Sequence, residues 1–190
     1  KFLREDVLIR RFLDARLRGL YVAVVLIERS TRKLRIVIKT ARPGMLIGRQ
    51  GEGAVRLKEE VKKFMARERI PSEGLQIDVE EIRVPEASAA VVAQMVVEAL
   101  EKRMPFRRVL KQTIEKVMAS RDVKGARIAI SGRLGGAEMS RKEQIKKGAL
   151  PLQTIRADID FSRATAHLSY GTIGVKAWVY RVDIFKEKIK

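Results

Sequence analysis

The stretch Pro43-Gly-Met-Leu-Ile-Gly-Arg-Gln-Gly-Glu-Gly53 decides how this chain is read, because it places Gly44, Gly48, Gly51 and Gly53 close together. Glycine lets a backbone turn through conformations closed to other residues and lets another group approach without meeting a Cβ. A mononucleotide loop of the Walker type needs Lys followed by Ser or Thr after its last glycine. Here Gly48 is followed by Arg49 and Gln50. The dinucleotide fingerprint needs a further glycine where Arg56 stands. Both nucleotide readings fail, and what remains is the tetrapeptide Gly48-Arg49-Gln50-Gly51.

Its flanks say what the tetrapeptide is for. Ile9, Leu13 and Leu17, beside Leu8 and Phe12, mark an amphipathic helix within Glu5 to Arg18. "YVAVVLIE" is a near-continuous apolar run, and "LRIVIKT" sets Leu34, Ile36 and Ile38 opposite Arg35 and Lys39. These read as two strands joined by the polar turn "RSTRK". After the glycines, Ala54, Leu57, Val61 and Phe64 line one face of a helix that runs to about Arg69 and stops before Pro71 and Gly74. "LQIDVEE" alternates as a third strand. Helix, strand, strand, glycine turn, helix, strand resembles a type II KH domain. In that fold the tetrapeptide clamps the backbone of about four single-stranded nucleotides. The amides and dipole at the start of the following helix add attraction for phosphate.

Past Pro85 the pattern restarts. Val91, Val92, Met95, Val96, Ala99 and Leu100 form a helical stripe, Pro105 breaks it, and a second helix carries Phe106, Val109, Leu110, Thr113, Ile114, Val117 and Met118 on one side. Strand-like segments follow near 125–132, 152–161, 164–171 and 174–184. The expected class is therefore α+β. A type II KH domain over 1–85 precedes a C-terminal α/β domain over 86–190, with two helices on a mainly antiparallel four-stranded sheet.

The charge says what such a chain meets. Forty-one Lys and Arg against 23 Asp and Glu give +18 at neutral pH and a pI near 10.6. So large an excess points to a polyanion. Residues 1–104 hold 22 basic and 15 acidic groups and 105–190 hold 19 and 8, so both halves are basic. "YVAVVLI" and "VVAQMVV" are too short to span a bilayer, and no polybasic run or basic amphipathic helix suggests a membrane surface. A soluble chain without membrane partners is expected. With no cysteine and a single histidine, there is no material for a disulfide or a Cys/His zinc site. Aromatic residues make up 5% and sit mostly in apolar runs, so recognition is expected to lean on phosphates and shape.

Two cation clusters stand out beyond the glycine loop. In "FRRVLK", Arg107, Arg108 and Lys111 fall at helical spacings opposite Phe106, Leu110 and Ile114. They begin a helix, where the macrodipole disfavours each positive charge by about 0.3 to 1 kcal/mol, a cost that an anionic partner reverses. The plain alternative is a solvated basic face partly offset by Glu115. Arg133, Arg141, Lys142, Lys146 and Lys147 lie in "ISGRLGGAEMSRKEQIKKGALP", expected as a long connection that orders against a partner. Catalytic readings are poorer. Asp158 and Asp160 share a strand face with Arg156, which suggests a salt-bridge network. His167 has no second ligand or nucleophile beside it. Trp178 and Tyr180 share a face that reads as core packing. No catalytic residue, metal, cofactor or small-molecule substrate is expected.

Taken together, "TARPGMLIGRQG", "FRRVLK", "SGRLGGAE", "PLQTIRADIDF" and "YGTIGVKAWVY" closely resemble the ribosomal protein S3 family of the bacterial small subunit. The resemblance spans nearly the whole chain. It implies a cytoplasmic, ribosome-bound protein on the head of the small subunit, holding small-subunit ribosomal RNA beside the head proteins S10 and S14. It further implies that Arg107, Arg108 and Lys111 face messenger RNA where it enters and help to open its secondary structure. Gln50 departs from the lysine common in the family, which removes one cation from the clamp. A ribosome-free KH regulator of single-stranded RNA is the competing reading, and a hydrolase using Asp158 and Asp160 is a third.

Overall fold

The computed structural model describes residues 2–30, 33–71 and 74–184; the middle of the expected "RSTRK" turn and the end of the chain lie outside them. Two compact units divide the chain, Lys1–Arg83 and Val84–Lys190.

The first unit runs α1 (Phe2–Arg16), β1 (Val22–Arg29), β2 (Leu34–Thr40), α2 (Pro43–Ile47), α3 (Glu52–Arg67) and β3 (Leu75–Glu81). β2 is central, antiparallel to β1 and parallel to β3. A parallel neighbour needs a crossover, and α2 and α3 supply it. Ile9 and Leu13 of α1 and Leu57, Val61 and Met65 of α3 bury against Val25, Ile36 and Ile38. Phe12 stacks on Phe64 at 4.5 Å. The glycine stretch, expected as a glycine turn between β2 and the long helix, also holds the extra helix α2, started by Pro43 and stopped by Gly48.

Several cations of this unit are matched with carboxylates. Arg29 donates to Glu5 and Asp6, both at 2.8 Å, fastening α1 to β1. Arg16 grips both carboxylate oxygens of Glu60 at 2.7 and 2.8 Å. Arg35 donates to Asp78 across the parallel pair at 2.6 Å.

The second unit comprises α4 (Ala89–Glu101), α5 (Phe106–Ala119), β4 (Gly125–Gly132), β5 (Arg141–Gly148), β6 (Ala157–Leu168) and β7 (Gly171–Asp183). Its sheet has the order β5-β4-β7-β6, antiparallel throughout. Both helices cover one face, where Val92, Val96, Leu110, Ile114 and Val117 bury against Ile128, Ile130, Val175 and Val179. The fold class is as expected, but two strands are not. The long connection contains β5, an edge strand with Ile145 as its sole large apolar residue, so it lacks the alternation that marks a strand. The segments near 152–161 and 164–171 instead contribute to a single strand, β6, which begins at Ala157.

Candidate nucleic-acid interface

Thr40, at the end of β2, sets the path into the glycine loop. Fully buried, its hydroxyl donates to the Leu20 carbonyl at 2.7 Å and accepts the Arg42 amide at 3.1 Å. α2 follows at once. Its last turn closes with the Gly48 amide on the Gly44 carbonyl, and Gly48 then takes φ 70°, ψ −173°. Gln50 at φ 51° and Gly51 at φ 84° continue in the left-handed region, which is costly for a residue with a side chain. α3 starts from Gly51 without a side-chain cap.

The glycines do different work. A Cβ on Gly53 would lie 2.5 Å from the Leu46 carbonyl oxygen, so Gly53 lets α3 approach α2. A Cβ on Gly51 would meet nothing within 4 Å. The tetrapeptide thus has open space over Gly51, with Arg49 and Gln50 exposed beside it.

On α5, Arg107, Arg108 and Lys111 are exposed, while Val109 and Leu110 between them are buried. Pro105 precedes the helix and gives no side-chain cap, so the first amides and the cations point the same positive charge outward. The three line one side of a groove of about 560 Å³, whose other wall is Glu143 and Ile145 of β5. Arg107 approaches Glu143 at 3.6 Å but keeps 72% of its side chain exposed, a pair of little strength. Arg108 and Lys111 form no ion pair among the described residues.

The third cluster divides. Arg133 donates to the carbonyls of Ala137 and Tyr170, at 2.9 and 3.1 Å, and so ties two turns together. Strand alternation places Arg141 and Lys147 with Glu143 and Ile145 on the helix-covered side of β5, and Lys142 and Lys146 on the other. They do not form one patch.

The doubtful catalytic groups have structural jobs. Asp160 accepts the Ala89 amide at 2.9 Å at the start of α4, and also accepts from Arg181 at 2.8 Å; Asp158 lies 3.7 Å from the same guanidinium. The salt-bridge partner is Arg181 and not Arg156. His167 is exposed, its amide donating to Glu101 at 3.1 Å, and no group of metal-binding side chains forms among the described residues. No described helix is long and apolar enough to cross a membrane. The reading of Trp178 and Tyr180 as core packing holds for one of the two: Tyr180 is buried at 5% exposure, whereas Trp178 lies outside the buried core cluster with Phe161, 49% exposed, resting against it. Val175, Ala177 and Val179 fill the covered face of β7, leaving its alternate positions to the open one.

Comparison with known proteins adds identity to this geometry. The family model described as KH domain matches residues 8–87, and that of the ribosomal protein S3 C-terminal domain matches 96–179. The chain is 42% identical over 188 residues to the small ribosomal subunit protein uS3 of Caldicellulosiruptor saccharolyticus, covering 99% of this chain and 82% of that one. It is 44% identical over 184 residues to uS3 of Marinobacter nauticus, covering 97% and 78%, and to uS3 of Clostridium novyi, covering 97% and 80%. The chain belongs to the ribosomal protein S3 family.

Proposed function

We propose that this structural protein of the small ribosomal subunit, a member of a non-enzymatic family, both holds ribosomal RNA and lines the path by which messenger RNA enters. The observation that carries the second role is the start of α5: Arg107, Arg108 and Lys111 stand exposed at an uncapped helix start above an open groove. A cationic row of this kind attracts phosphates of any sequence, as a surface under a moving message must. A single strand held there by its phosphates is kept from pairing again, so translocation by the ribosome opens a hairpin against a lowered barrier. The chain needs no nucleotide of its own for this.

The Gly48-Arg49-Gln50-Gly51 loop takes the backbone of a single strand, its left-handed residues turning the chain and Gly51 leaving room for phosphate. Lys142, Lys146, Arg141 and Lys147 offer further RNA contacts, and Arg133 contributes the donors its two carbonyls leave over. Cytoplasmic location and contact with the head proteins S10 and S14 belong to the same reading.

The test replaces Arg107, Arg108 and Lys111 by alanine together. Small subunits should assemble with the variant in normal amount, while translation through a stable messenger hairpin slows relative to an unstructured message. Equal rates on the two messages defeat the role.

A further inference from the structure

The helices cover one face of the C-terminal sheet and leave the other open. Read along the register, one row crosses all four strands of that open face: Lys146 of β5, Arg127 of β4, Trp178 of β7 and Phe161 of β6. Arg127 lies over the Trp178 ring at 4.9 Å and is held there by Gln144, which accepts from its Nε at 3.1 Å. Phe161 meets the same indole at 5.1 Å and a 37° tilt. The next row brings Lys176 beside Arg163.

Cations dominate these rows of the face. Arg127, Lys142, Lys146, Arg163 and Lys176 project from it, and among the described positions of these rows there is no carboxylate. Asp183, farther along β7, is engaged with the Tyr180 hydroxyl at 2.9 Å. A protein partner matching this face would have to bring an acidic surface and also cover two rings. A nucleic-acid strand brings negative charge and flat bases together, and base stacking on an aromatic ring tolerates any base. Free stacking area, locked geometry and uncompensated charge coincide at a single row.

We propose that the open face of the C-terminal sheet is a second RNA surface, where an unpaired base stacks on Phe161 beside Trp178 while flanking phosphates meet Lys146, Arg163 and Lys176. This deepens the reading of the chain as an RNA-holding protein and rests on it. The surface lies on the face of its sheet opposite α5, and it uses side chains that neither α5 nor the glycine loop requires.

Trp178 is the chain's sole tryptophan, so its emission reports on this face alone. Titrating the whole protein with a single-stranded oligoadenylate should quench that emission saturably. Phe161→Leu should lower the affinity by about five- to a hundred-fold, the range for losing one stacked base, and Phe161→Tyr should restore it. Phe161 is half exposed, so melting temperatures of both variants should stay near that of the parent. Binding without a change in emission, equal affinity for Phe161→Leu, or no binding of oligoadenylate at all overturns the proposal. So does a tryptophan response to purified small-subunit proteins in place of RNA. The family role is read separately: a chain that fails to sediment with small subunits fails that role whatever Trp178 reports.

Discussion

At the proposed clamp, Gly48–Gly51, the chain leaves open space by withdrawing side chains, and Arg49 is the tetrapeptide's single cation. On α5 it does the reverse, setting the exposed side chains of Arg107, Arg108 and Lys111 around buried Val109 and Leu110. The loop depends on backbone conformation and is sensitive to a methyl group. The helix face depends on charge and is sensitive to salt. The units that carry them do not differ in this way: carboxylates meet Arg16, Arg29 and Arg35 in the first and Lys102, Lys124 and Arg181 in the second, so Arg108 and Lys111, unpaired among the described residues, are a local feature of α5.

Charge removal should break this contrast most visibly. With Arg107, Arg108 and Lys111 all alanine, the slope of log affinity against log salt for single-stranded RNA should fall by about 2, as expected for three lost phosphate contacts. A filter-binding series in increasing salt checks it. An unchanged slope would mean these cations do not meet phosphate.

Backbone substitutions probe the other side. Gly53→Ala pushes a methyl against the Leu46 carbonyl and should destabilise the first unit by about 1 to 3 kcal/mol, at about 4 to 8 °C of melting temperature per kcal/mol. Gly51→Ala meets open space and pays only for its left-handed backbone, about 1 to 2 kcal/mol. The pair separates packing from conformation within one loop, and calorimetry should rank Gly53→Ala as the more damaging.

The smallest effect concerns pH. The hydrogen bond from Arg35, helped by Gln76, holds the Asp78 carboxyl below the ordinary carboxylate range. A depressed folded pKa gives stability that is complete above the ordinary value and is lost as pH falls through the folded one. Asp78→Asn should therefore lower the melting temperature slightly near neutral pH and match the parent in strong acid, where thermal melts at the two conditions would show convergence.

Periodicity made most of the fold legible because its buried residues repeat: Ile9 and Leu13, Leu57 and Val61, Leu34, Ile36 and Ile38 all occupy the core they suggested. β5 was illegible for a physical reason. An edge strand with most of its side chains in solvent needs no apolar alternation, and "RKEQIKKG" carries none beyond Ile145. Trp178 shows a different limit. Both sets of alternate positions in "VKAWVYRV" are partly apolar, so pairing it with Tyr180 was sound while choosing the covered face was not; only the helices decide that. At the candidate interfaces, the cations of α5 could be read from spacing, but the division of Arg141 and Lys147 from Lys142 and Lys146 required a strand that was not foreseen.

That strand has a consequence for the chain before it meets any ligand. β5 ends the sheet, and the outer side of such a strand is a template on which another copy can lengthen the sheet into an aggregate. Lys and Arg at 141, 142, 146 and 147 make the approach of an identical strand a meeting of like charges. A newly made chain is thus guarded against itself by the same residues that favour a polyanion, and the guard is lifted only for a partner of opposite sign.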